Sequence, residues 1–79
     1  MREIALLENI ERVHTTQKGK ERIKKNVCLL VDDVTSWCKD KILNADLVVR
    51  KGKNWYVYAE GCVITINAST YTILTAHPA

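Results

Sequence analysis

Asn54-Trp55-Tyr56-Val57-Tyr58-Ala59-Glu60-Gly61-Cys62-Val63-Ile64-Thr65-Ile66-Asn67 is the stretch on which the fold turns. Aromatic and β-branched residues alternate with a period of two on either side of Gly61, the pattern of two strands that each show one face to a core. A break this short joins only antiparallel neighbours. Alternation then sets Trp55, Val57 and Ala59 on one face and Tyr56 and Tyr58 on the other, while Cys62, Ile64 and Ile66 oppose Val63, Thr65 and Asn67. Ile64 and Ile66 are the expected core positions.

Working outward, Leu47 to Lys51 reads as a strand that ends at Gly52-Lys53, and Tyr71 to His77 reads as another beyond Ala68 to Thr70. The expected sheet is therefore a four-stranded antiparallel meander. In the last strand Ile73 and Leu74 are both apolar and point to opposite faces, so pattern alone does not orient it.

Before Asn44 the period is helical. Ile4, Leu7, Ile10 and Val13 form one stripe from Arg2 to His14. Thr15 or Thr16 can cap a second helix from Gln17 to Val31, although Gly19 within it costs about 1 kcal/mol relative to alanine. Asp32 or Asp33 can cap a third, Asp33 to Leu43, carrying Val34, Trp37, Cys38 and Ile42; one longer helix bent near Asp32 fits the stripes equally well. The fold class is α+β, two to three N-terminal helices packed on the meander. One domain is expected over residues 1–79, helical over 1–45 and sheet over 46–79.

Composition agrees with a globular chain: 47% of the 79 residues are hydrophobic and 27% charged. Cys28, Cys38 and Cys62 are odd in number and form no Cys-x-x-Cys pair, and Met1 to Leu7 lacks a secretory pattern, so a cytoplasmic location with reduced, mostly buried thiols is expected. Val27 to Val31, the longest apolar run, is far below the roughly 20 residues of a membrane span.

The net charge of +3 is unevenly spread. Lys18, Lys20, Arg22, Lys24 and Lys25 crowd one helix, and Arg50, Lys51 and Lys53 crowd one turn, an arrangement suited to a polyanion. Glycine-rich phosphate loops, His-Glu-x-x-His, paired metal cysteines and Gly-x-Ser-x-Gly are all missing, so neither a metal nor an organic cofactor is expected. The chemistry that remains is concentrated late in the chain, where Asn67, Ser69, Thr70, Tyr71, Thr72, Thr75 and His77 bring amide, hydroxyl and imidazole groups together. Tyr71, Thr75 and His77 are expected on one face. With Arg50, Lys51 and Lys53 they comprise what metal-free RNA cleavage needs: a base for the 2′-hydroxyl, cations for the phosphorane and an acid for the leaving oxygen. His14 is the second candidate acid or base, Arg22 and Asn67 further RNA contacts, and Trp55, Tyr56 and Tyr58 stacking surfaces.

His14-Thr15-Thr16, Gly19, Arg22-Ile23, Asn26, Asp33-Val34, Trp37-Cys38-Lys39, Gly52-Lys53-Asn54-Trp55-Tyr56, Ile64-Thr65-Ile66-Asn67-Ala68 and Tyr71-Thr72-Ile73-Leu74-Thr75-Ala76-His77 together resemble a short bacterial family, domain of unknown function number 3781. The resemblance covers nearly the whole chain and implies no activity. A weaker one is to the barnase, colicin and RelE-type ribonucleases, small domains with helices before a four-stranded antiparallel sheet. It implies that Thr75 and His77 match a terminal motif, Asn67 and Tyr71 the strand and turn before it, and His14 a histidine near the end of the first helix. The sequence lacks the strongly basic sheet of the ribosome-dependent toxins in that group.

Three functions compete at this stage. They are an RNA-directed metal-free endoribonuclease, a non-catalytic module that binds nucleic acid or protein in a toxin-like, regulatory or phage-related role, and an assembly module pairing through the Leu47–Lys51 edge or the last strand, with a homodimer among the outcomes.

Overall fold

The structure, a computed structural model, describes residues 2–27 and 33–78. The chain runs α1 (Arg2–Glu8), a 3-10 turn (Ile10–Arg12), β1 (His14–Thr15), α2 (Gln17–Val27), α3 (Val34–Leu43), β2 (Leu47–Lys51), β3 (Asn54–Ala59), β4 (Cys62–Asn67) and β5 (Thr72–Pro78). The α+β class stands. The expected extension of the second helix to Val31, the alternative cap or bend at Asp32 and the burial of Cys28 lie outside the described residues.

Strands β2 to β5 form the expected antiparallel meander, but the sheet has five strands, ordered β1-β5-β4-β3-β2. The extra strand comes from the segment read as the end of the first helix. Asn9 closes α1 by donating its side-chain Nδ2 to the Ala5 carbonyl (2.7 Å), and the chain then tightens into the 3-10 turn and extends. His14 and Thr15 pair in parallel with Thr72 and Ile73, which makes the sheet mixed. The helical stripe misled because Val13 is buried in either conformation.

Capping behaves as the sequence suggests. Thr16 Oγ1 accepts from Gly19 N (3.0 Å), and Asp33 Oδ1 accepts from Ser36 N (2.9 Å), satisfying amides that the first helical turns leave free. Gly19 is needed for space. A Cβ there would collide with Thr15 Oγ1 and come within 3.3 Å of the Ile73 carbonyl, because α2 crosses the β1–β5 pair at that residue.

The helices cover one face of the sheet. Leu6, Ile23, Val34, Cys38 and Ile42 meet Trp55, Val57, Ile64, Ile66, Ile73 and Ala76 in one cluster of buried side chains. Ile73 and Ala76 are an odd number of residues apart, so strict alternation would turn one of them outward. A register shift resolves this: Thr65 pairs with Thr75 and Ile66 with Ile73, leaving Leu74 as the extra residue of a bulge. Both apolar residues then face the helices, and Leu74 is 37% exposed. The bulge also settles which way the last strand faces, with Thr75 and His77 on the side away from the core.

Candidate nucleic-acid interface

The register fixes what the outer face carries. The two-residue turns Gly52-Lys53 and Glu60-Gly61 set Lys51 opposite Asn54 and Asn54 opposite Asn67. Thr72 follows on β5 and His14 on β1, so Lys51, Asn54, Asn67, Thr72 and His14 form a polar row across all five strands at one end of the sheet. Next to it, Val49, Tyr56, Thr65 and Thr75 make a second row; Leu47, Tyr58, Val63 and His77 make a third, near the opposite end.

A hydrogen-bonded chain runs along the first row. His14 Nδ1 lies 2.8 Å from the Arg12 carbonyl, which fixes that nitrogen as a donor, and Nε2 lies 3.1 Å from Thr72 Oγ1. Thr72 Oγ1 is 2.7 Å from Thr70 Oγ1, which reaches Asn67 Oδ1 at 3.3 Å. That amide oxygen also accepts from the backbone N–H groups of Ser69 and Thr70, at 2.9 and 3.0 Å, and so shapes the turn into β5. The turn ends at Tyr71 with φ +60, a left-handed conformation costly for a bulky residue. Its ring is buried in the core under the Arg12 guanidinium, 4.6 Å from the ring centroid, and this packing holds the strained residue in place.

Along β2 and β3, across the three rows, lies an open groove of roughly 590 Å³ lined by Val49, Lys51, Lys53, Asn54, Tyr56 and Tyr58. Two phenol rings two residues apart on one strand face stand about 7 Å from each other. Beside them are two ammonium groups and an amide.

The candidate residues therefore separate. Lys51, Lys53 and Asn67 gather at the hairpin end, and His14 closes the same row on the opposite edge strand, four strands or about 19 Å from Lys51. His77 is not in that row. It lies at the far end of β5, where its Nδ1 is 3.0 Å from the Pro78 carbonyl, about 17 Å along and across the sheet from His14 and about 20 Å from Lys51. Thr75 receives a hydrogen bond from Asn26 of α2 (3.2 Å). Tyr71 does not share a face with Thr75 and His77, because it lies in the core with Ile73 and the Leu74 bulge then turns Thr75 and His77 to the other face. Arg50 points to the helix side, its guanidinium 5.5 Å from the Trp55 ring and its Nε donating to the Gly52 carbonyl (3.2 Å). Trp55 itself is core, not a stacking surface. Arg22 is exposed on α2, the helix packed against β5, well away from the groove at the β2–β3 hairpin.

Asn54 and Thr72 in the row, and Thr70 in the turn beside it, were not among the expected site residues. Asn54 was within reach, since two-residue turns fix register and place it between Lys51 and Asn67.

Of the thiols, Cys38 is fully buried in the core, and desolvation pushes it up to about 12, so it keeps its proton and does not act as a nucleophile. Cys62 is half-buried. Among the described residues no group of three or more His, Cys, Asp and Glu side chains could hold a metal ion, and no helix is long and apolar enough to cross a membrane.

The model of a protein family described as "Protein of unknown function (DUF3781)" matches residues 7–77. The chain belongs to this family. No curated protein and no solved structure matches it, so the comparisons lend no support to the ribonuclease resemblance. The matched span contains the whole polar row and every residue of the groove.

Proposed function

We propose that this member of the family is an RNA-directed binding domain that takes single-stranded RNA on its outer sheet face. The observation that carries this reading is the groove itself, where Tyr56 and Tyr58 stand beside Lys51, Lys53 and Asn54. Unpaired bases stack on aromatic faces without regard to sequence, and lysines beside them neutralise the connecting phosphates. The row continuing through Asn67 and Thr72 offers amide and hydroxyl groups to 2′-hydroxyls, which favours RNA over DNA, and His14 holds the Thr72 hydroxyl in place.

Binding is favoured over cleavage by distance. A metal-free cut needs an acid and a base within hydrogen-bond reach of one scissile phosphate, and His14 and His77 stand at opposite ends of β5.

The test is a titration of labelled single-stranded RNA with the protein at several salt concentrations in chelator, read by fluorescence anisotropy with the RNA recovered and sized. Saturable binding that weakens with salt, with the RNA intact and the salt slope lowered by about 0.7 in Lys51→Ala, is the expected outcome. Absence of binding at low salt overturns the reading. Cutting that survives His77→Ala and disappears in His14→Ala would instead restore the endoribonuclease, centred on His14.

A further inference from the structure

The β2 edge is the second surface of interest. β2 has β3 as its one neighbour in the sheet of the described residues, so the outward N–H and C=O groups of Leu47–Lys51 have no strand partner there. Most of this strand is exposed, with Leu47 at 55% and Val49 at 36%. Its N-terminal end opens on a hollow of roughly 250 Å³ lined by Leu7, Leu43, Ala45, Asp46 and Leu47, three of them exposed large apolar residues.

We propose that a second copy of this chain occupies this edge, β2 pairing antiparallel with β2 about a two-fold axis at Val49. A register centred on Val49 keeps like faces together, because it sets odd-numbered residues opposite odd ones: Leu47 faces Lys51 of the partner subunit, and Val48 faces Arg50 of the partner subunit. The same register brings Gly52 of the partner subunit opposite Asp46, at the mouth of the hollow. Lys53 of the partner subunit then lays its aliphatic stem over Leu43 and Leu7 and carries its ammonium to the Asp46 carboxylate. Two-fold symmetry repeats this contact at the other end, so one complementary pair is used twice.

Charge complementarity selects a second copy over an unrelated chain. Going along the edge, the acidic Asp46 at one end and the basic Lys53 beyond the other are brought together, twice, by a strand of the same order laid antiparallel. In the dimer Lys53 leaves the groove for the interface while Lys51 and the two tyrosines remain on the outer face, so the two grooves run towards each other across the Val49 axis on one ten-stranded sheet. The dimer does not depend on the RNA reading.

Sedimentation over a concentration series tests it. The expected mass rises to about 18 kDa, twice the 9.0 kDa of the chain. Asp46→Lys and Lys53→Asp each weaken self-association by about tenfold or more, and the double variant Asp46→Lys with Lys53→Asp restores it. Circular dichroism establishes that each variant is folded. A wild-type chain that stays monomeric at every concentration overturns the proposal, and so does a dimer that neither single variant weakens or that the double variant fails to restore.

Discussion

The two faces of the sheet are made from the same strands and do opposite things. On the inner face Val57, Ile64, Ile66, Ile73 and Ala76 are each no more than 1% exposed and meet three helices. On the outer face Tyr58 is 39% exposed, and tyrosines, threonines, asparagines and a histidine hold the ordered positions. On the proposed reading stability and ligand chemistry fall to alternate residues of one strand, so mutations one position apart should report on different properties.

The largest expected effect lies inside. Ile64→Ala removes buried methyl groups from the middle of the central strand and should lower unfolding free energy by about 2–5 kcal/mol, whereas Thr65→Ala, its neighbour on the outer face, itself 7% exposed but outside the core cluster, should cost about 1 kcal/mol. Urea denaturation with an unchanged m-value checks both. Equal losses at the two positions would break the comparison.

Next come the outer tyrosines. Tyr56→Ala and Tyr58→Ala should each weaken single-stranded RNA binding by about 1–3 kcal/mol, the contribution of one stacked base. Their urea midpoints should move little. A variant that loses stability and keeps its affinity would mean that the rings serve the fold.

This division of labour was readable from the sequence in the central hairpin and less so towards either edge. Trp55 to Ile66 alternates without interruption, and the two-residue turn at Glu60-Gly61 fixes the register, so the face of each residue follows from its number. Two places broke that logic. At Leu74 a bulge restores Ala76 to the inside, and no single residue type marks such a bulge in advance. At His14 a two-residue strand pairs with a partner 58 residues away, a contact that local periodicity does not contain. Both bear on the candidate site. The sequence grouped His77 with the polar end of the chain because they are close in number, while the topology set His14 beside Thr72 and carried His77 to the other end. Lys51 and Lys53 come together at one tight turn, as their numbers suggest, while Arg50, one position earlier, alternates to the helix side.

The buried thiol makes the stability of the inner face depend on pH. Cys38 in the folded chain keeps its proton to about 12, while in the unfolded chain it ionises near the ordinary value of 9.0. Between those values the unfolded state binds fewer protons than the folded one, so stability falls as pH rises, and below about pH 9 the contribution is complete. The slope of unfolding free energy above pH 9 should be steeper by about 1.4 kcal/mol per pH unit in the wild type than in Cys38→Ala. Urea melts at stepped pH measure the difference; parallel slopes would show that the thiol is already solvated in the fold.

The smallest expected effect concerns the turn that keeps the two faces in register. Glu60 and Gly61 both have positive φ, +48 and +79, as a type I′ hairpin requires, and a glutamate is a poor occupant of the first position. Asn adopts that conformation more readily. Glu60 is retained with a compensating contact, a 2.6 Å ion pair with Lys41 of α3, which sits at the surface and contributes about 0–1 kcal/mol. Glu60→Asn should therefore stabilise the chain by only a few tenths of a kcal/mol, because backbone relief and the lost pair oppose each other. In a Lys41→Ala background the same substitution has no pair to lose, and its gain should approach about 1 kcal/mol. A double-mutant cycle that shows no difference between backgrounds would mean that Lys41 does nothing for the turn and that the strain at Glu60 is borne by the hairpin alone.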